Sequence, residues 1–268
     1  MITIIICNDA VDRATPPERT TGVPRTPRQP SLLEQLPPPL PASQIIALNQ
    51  PKEDPRSWRR YTWHGWDFDV PPGVFLPGGT SRMFHDRLLD GTIEVRDRRY
   101  AIMGVGLGVE AVVAARRGAR TVYAIDVHAE SVAATTRHVQ RLVGEQAAGV
   151  VVPVISDLFD SFPAGHRIDV LTFNPPAVSQ RVSDDPDIVR NVCAGAPLLE
   201  TFFAQLAERD LLAPGGEVYL LASTTADLRG IIGSAIEHGF TPAINHQHDW
   251  GGGVVTYLFR LWRDRDRE

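Results

Sequence analysis

From Tyr100 onward the chain alternates short apolar runs with longer stretches in which apolar side chains recur every three or four positions. YAIMGVG, TVYAID, VVVPVIS, IDVLTFN and EVYLLAS are continuous apolar runs of strand length bounded by turn residues. Between them VEAVVAARRGA, AESVAATTRHVQRLVG, AGAPLLETFFAQLAERDLL and TTADLRGIIGSAIEHG have helical spacing; Val132, Val139 and Leu142 share one face of the second. TPAINHQHDW and VTYLFRLWR follow as two further strands, and Gly251-Gly252-Gly253 between them predicts an antiparallel hairpin at one edge. Apolar strands alternating with helices predict an α/β fold with helices on both faces of a seven-stranded sheet, mostly parallel with an antiparallel C-terminal strand.

Before Tyr100 the text differs. WRRYTWHGWDFDVPPGVF alternates aromatic and polar residues in strand fashion, with a turn at Pro71-Pro72-Gly73. TSRMFHDRLLDG predicts a helix with Thr80 or Ser81 as N-cap, a stripe of Met83, Phe84, Leu88 and Leu89, and Gly91 as its stop. Thr15 to about Pro55 is rich in Pro, Gln, Arg and Ser, with Pro37, Pro38 and Pro39 consecutive, and predicts extended polyproline-like chain running over a surface. A partly disordered tail is the equal alternative, and part of the segment could cap an active site. The expected organisation is a Pro-rich extension over 1–57, a strand and helix lead-in over 58–98 and the main domain over 99–268.

Composition narrows the classes. The chain has 268 residues, 43% of them hydrophobic, enough for one large domain and an appendage. A net charge of −5 argues against a nucleic-acid partner, and Arg59-Arg60, Arg98-Arg99 and Arg116-Arg117 are short enough to be solvated faces. The two cysteines, Cys7 and Cys193, have no paired spacing, so neither a disulfide framework nor a zinc site is expected. His246 and His248 share a strand face but lack further ligands, and no metal is expected. The N-terminal MITIIIC is too short for a signal-peptide core or a membrane span, which predicts a cytoplasmic protein without a membrane segment.

Candidate motifs stand at four successive strand ends. GVGLG puts Gly104, Gly106 and Gly108 between a strand and a helix, where a bare backbone approaches a ligand and the helix N-terminus favours polar groups. Tight helix–strand packing is the other use of such glycines. Asp126 ends the next strand, where a carboxylate can accept both hydroxyls of a ribose. A dinucleotide dehydrogenase shares this arrangement, but Val109 occupies its third glycine position. ISDLFD places Asp157 on the same rim, able to accept from an adenine amine, with Leu158 and Phe159 as an apolar wall. FNPP then ends the fourth strand in a rigid polar corner, because neither proline can donate to a ladder.

In this order the motifs resemble the class I S-adenosylmethionine-dependent methyltransferases. Within these the likeness is to the Asn-Pro-Pro-aromatic branch, which includes the glutamine methyltransferases of release factors and ribosomal proteins and the amino-group methyltransferases of nucleic-acid bases. The resemblance covers about Pro71 to Arg263. VFLPGGTSRMF is similar to the segment before the cofactor fold, and LLAPGGEVYL to the loop entering the fifth strand. It implies a Rossmann-like doubly wound sheet that binds S-adenosyl-L-methionine. Gly104, Val105, Gly106 and Gly108 would wrap the methionine moiety, Asp126 and Val127 the ribose, Asp157 and Leu158 the adenine, with Thr80 beside them. Asn174 would accept from the acceptor's N–H₂ through its side-chain oxygen, the Pro175 carbonyl would accept the second hydrogen, and Pro176 would help lock the corner. Phe75 and Ala177 would face the substrate; Trp66, just before the fold, is a further candidate for that pocket, with an ordinary surface or core role as its equal alternative. In-line displacement at a sulfonium needs a well-aimed nitrogen lone pair rather than a strong base or metal.

Two positions depart from the branch. Ile102 stands where an acid usually contacts the cofactor's amino-acid end; Glu110 on the following helix is the nearest substitute in sequence. Ala177 stands where an aromatic ring usually stacks on a planar substrate, which favours a bulkier or non-planar small molecule. The implied activity is methyl transfer to a nitrogen of a small molecule or protein side chain, and a homodimer is compatible with it. Two competitors are aminocarboxypropyl transfer or cyclisation releasing methylthioadenosine, and a catalytically silent cofactor- or partner-binding protein.

Overall fold

The computed structural model describes residues 31–50, 54–193 and 195–263. The N-terminal MITIIIC, Cys7, the Pro-rich segment before Ser31 and Ala194 lie outside the described residues. In chain order the elements are α1 (Leu32–Gln35), α2 (Ala42–Leu48), β1 (Arg59–Trp63), β2 (Trp66–Val70), α3 (Gly79–Asp90), β3 (Arg99–Met103), α4 (Val109–Arg116), β4 (Thr121–Asp126) and α5 (Ala129–Val143). They continue as α6 (Glu145–Ala148), β5 (Val151–Ile155), β6 (Ile168–Phe173), α7 (Pro186–Val192), α8 (Ala196–Glu208), β7 (Leu212–Ser223), α9 (Leu228–Glu237), β8 (Thr241–Asp249) and β9 (Val255–Trp262).

Seven strands form one sheet in the order β5-β4-β3-β6-β7-β9-β8. The β5 to β7 neighbours are parallel, and β9 runs antiparallel to both β7 and β8. The strand order reverses between β3 and β6, which is where an open sheet of this kind leaves a crevice at the carboxyl ends of its strands. Side chains alternate between two cores because successive strand residues point to opposite faces. Met103, Ile125, Leu171 and Phe173 pack with Leu199, Phe202 and Ile231 of α8 and α9. Tyr100, Ile102, Val122 and Val170 pack on the other face with Phe84, Val112 and Val139 of α3, α4 and α5.

The extension is not purely extended chain. Ser31 caps α1, accepting from Glu34 N–H, while Glu34 accepts from Ser31 N–H at 2.6 Å. Pro41 stands immediately before α2, outside the helical bonds that a proline would break. The segment is pinned to the C-terminal half, with Leu40 N–H donating to Thr224 O at 2.8 Å and Arg229 Nε to Leu36 O at 2.7 Å. Leu36 and Ile45 are buried.

Other boundaries moved for local reasons. β1 and β2 meet at a two-residue turn, His64-Gly65, both with positive φ as such hairpin turns require, and the expected turn at Pro71-Pro72-Gly73 follows β2, with Val74 N–H donating to the Pro71 carbonyl at 3.1 Å. α3 starts at Gly79 with Gly78 as N-cap and no side-chain capping bond, which leaves Thr80 and Ser81 inside the first turn. β7 begins at Leu212 rather than Glu217, with its register to β6 shifted across Ala213–Gly216. α7 was hidden in a polar loop and rests on Asp185 as N-cap and Pro186 as first helical residue. Among the described residues no helix is long and apolar enough to cross a membrane.

Candidate active site

A cavity of about 500 Å³ opens where β3 and β6 diverge. Its floor is the β3–α4 loop. Gly104, Gly106 and Gly108 all have positive φ, but they serve two purposes. A Cβ on Gly104 or Gly106 would meet nothing closer than 3.8 Å, so both leave bare backbone toward the cavity. A Cβ on Gly108 would lie 2.8 Å from the Thr135 Cα, so Gly108 also lets α5 approach the loop. His138 of α5, 3.0 Å from the Leu107 carbonyl, holds the loop from the same side.

Asp126 braces the loop from β4. Its Oδ2 accepts from Gly106 N–H at 3.0 Å and its Oδ1 from His128 N–H at 2.9 Å. Burial pushes its carboxyl pKa up, against those two bonds and the charges of His128 and Arg190. Ser156 N–H donates to the Asp126 carbonyl at 2.9 Å, which brings the end of β5, with Asp157 and Leu158, to the same rim. Leu158 reaches the cavity through a left-handed backbone, φ 45°.

The opposite wall is the end of β6. Asn174 Nδ2 donates to Ser81 Oγ at 3.3 Å, which leaves Oδ1 without a partner among the described residues. The Pro175 carbonyl, expected to accept the acceptor's second hydrogen, also accepts from Ala177 N–H at 2.8 Å; one of its two lone-pair directions remains. Ala177 bridges to Cys193, and Gly195 N–H donates to Pro176 O, so the chain after the prolines folds back as part of the wall. Val105, Val127, Thr80 and Phe75 line the cavity as well.

Trp66 does not. Its ring packs edge-on against Trp63 at 5.7 Å and under the Arg116 guanidinium, because the hairpin turns that face onto α4. The substrate role expected of Trp66 is corrected accordingly.

Several cavity residues escaped sequence reasoning. His85 lies one turn beyond Ser81 on α3, is buried against Trp63 and has no hydrogen-bond partner at Nδ1. Burial, with the nearby Arg82 charge, drives its pKa down to about 3, so the ring is neutral. Asn49, just after α2, and Arg190 and Asn191 of α7 close other parts of the wall, the latter two both donating to the Gly73 carbonyl. The i, i+4 spacing of Ser81 and His85 was the available signal; nothing local marked Asn49 or Arg190.

The sheet order, the glycine loop braced by a strand-end carboxylate and the Asn-Pro-Pro corner define the class I S-adenosylmethionine-dependent methyltransferase fold. The chain shares the fold of S-adenosylmethionine-dependent methyltransferases, and the relatives it resembles are named as methyltransferases. No protein-family model matches it. It is 25% identical, over 189 residues, to a Methanocaldococcus jannaschii protein provisionally named a protein N5-glutamine methyltransferase, a match covering 68% of this chain and 88% of that one. In structure it is similar to the T. thermophilus 16S rRNA N2 G1207 methyltransferase in complex with AdoMet and guanosine, with TM-score 0.55 and 19% identity, over 77% of this chain and 50% of that one. A Streptococcus mutans protein provisionally named a SAM-dependent methyltransferase gives TM-score 0.54 and 14% identity, over 80% of this chain and 57% of that one. Likeness at these identities concerns the fold, which hosts protein and RNA acceptors alike.

The residues fit the cofactor. Two glycines offer bare backbone, and Asp126 keeps spare lone pairs at the rim. Glu110 is among the residues that line the cavity.

Proposed function

We propose that the chain transfers the methyl group of S-adenosylmethionine to a nitrogen of a small molecule or protein side chain held at Asn174. The cofactor supplies an electrophilic methyl on a sulfonium. Asn174, with its amide nitrogen tied to Ser81, offers Oδ1 to an acceptor N–H, and the Pro175 carbonyl offers a second acceptor on the same rigid corner. Two such acceptors orient the nitrogen lone pair and favour the positive charge that grows on it. His85, neutral through burial, adds no positive charge beside a sulfonium. The observation that carries the reading is the Asn174–Ser81 bond at the cavity end of β6. The M. jannaschii relative supports a protein glutamine acceptor, and the walls added by Asn49 and Asn191 support a small one.

The test incubates the protein with methyl-labelled S-adenosylmethionine against glutamine-bearing peptides and a panel of small amines and amides. Labelled acceptor with equimolar S-adenosylhomocysteine, lost in Asn174→Ala while cofactor affinity persists, is the expected result. Methylthioadenosine as product would replace this function with aminocarboxypropyl transfer or cyclisation, and turnover indifferent to Asn174→Ala would overturn the assignment of that residue.

A further inference from the structure

One carboxylate on the cavity wall has hydrogen bonds that do not add up while it is ionised. Glu110 Oε2 lies 2.8 Å from Tyr100 Oη and 2.5 Å from Thr172 Oγ1, and the two hydroxyls are 2.6 Å from each other. Three oxygens in mutual hydrogen-bond contact call for three hydrogens, and the two hydroxyls own only two. A proton on the Glu110 carboxyl would supply the third. Burial agrees, raising the Glu110 pKa against both hydroxyl bonds. Tyr100 of β3 is the titratable group facing it; Thr172 of β6 brings no charge.

Position decides which charge this carboxyl can meet. Tyr100 and Thr172 stand on neighbouring strands, on the face covered by α4, and Thr172 pairs opposite Ile102. Glu110 therefore occupies the β3–β6 junction, next to the strand that ends in Asn174. A methyl group delivered to an acceptor at Asn174 requires the sulfonium, and the amino-acid arm bonded to it, on this side of the cavity. Asp126 and Asp157 stand at the ends of β4 and β5, on the far side of β3 from this junction. Glu110 lines the cavity, and its Oε1 has no hydrogen-bond partner among the described residues. An ammonium partly desolvated at the cavity wall needs a carboxylate beside it.

We propose that Glu110 receives the α-ammonium of the cofactor's amino-acid end and gives up its own proton to solvent as that charge arrives. The proposal rests on the methyltransferase reading.

Titration calorimetry of the full chain tests it with two ligands. S-adenosylhomocysteine carries the amino-acid end, and methylthioadenosine lacks it. Glu110→Gln is expected to weaken S-adenosylhomocysteine binding by roughly 10- to 100-fold while leaving methylthioadenosine within about two-fold. Repeating the wild-type titration in buffers of different ionisation enthalpy should show about one proton released with S-adenosylhomocysteine and none with methylthioadenosine. Unchanged S-adenosylhomocysteine affinity, equal loss of both ligands, or no proton release from the wild type would each overturn the proposal. The proton count needs no variant, so it stands even if Glu110→Gln folds poorly. A wild type that binds neither ligand would instead overturn the methyltransferase reading.

Discussion

The side-chain amide of Asn174 donates to the Ser81 hydroxyl across 3.3 Å, joining the end of β6 to the first turn of α3, 93 residues earlier in the chain. This bond decides which end of the amide an acceptor would meet. With Nδ2 committed to Ser81, the oxygen is the free end.

Ser81→Ala should therefore reduce kcat by roughly 10-fold, the worth of about one hydrogen bond, with S-adenosylhomocysteine affinity unchanged. In an Asn174→Ala background the same substitution should cost almost nothing further. Steady-state kinetics of the two single variants and the double variant check this. Additive losses would mean that Ser81 acts apart from Asn174.

His85 makes an acid-limb prediction. Burial, with Arg82, lowers its pKa from 6.5 to about 3. Below pH 6.5 the unfolded chain takes up a proton that the folded protein refuses, so the His85 contribution is intact above that pH and lost as pH falls toward about 3. The loss can reach about 1.4 kcal/mol per pH unit. Urea unfolding of wild type and His85→Leu across this window should show a shallower acid slope in the variant.

Gly108→Ala should destabilise the fold by about 2–4 kcal/mol, combining a left-handed backbone with a Cβ pressed on Thr135. Gly106→Ala, which meets nothing closer than 3.9 Å, should cost about 1 kcal/mol of stability yet impair cofactor binding more. Thermal melts paired with S-adenosylhomocysteine titration separate the two glycines.

Ala177 is buried, packed in the α8/α9 core and tied to Cys193. Ala177→Tyr should overpack that core by about 1–3 kcal/mol rather than restore a stacking platform. A lowered melting temperature with no gain in methylation of glutamine peptides is the expected outcome.

The sheet was legible in the sequence because strand and helix periods are local: TVYAID and VEAVVAARRGA announce themselves within a few residues. The strand-end motifs were legible for the same reason, since Gly106, Asp126, Asp157 and Asn174 each follow an apolar run and a parallel sheet puts all such ends on one rim. Trp66 was misread because alternation marks two faces without saying which one packs; the hairpin turned it onto Arg116. The helices within the Pro-rich extension were missed because its composition masked two short capped segments. Gly108 read as a ligand glycine, while the crossing of α5 gave it a second duty. Only the tertiary structure joined Ser81 to Asn174, Glu110 to Tyr100 and Thr172, and Asn49 and Arg190 to the same cavity. These partners lie 10 to 93 residues apart in the three hydrogen-bonded pairs, and such contacts arise from how layers pack, which no local period records.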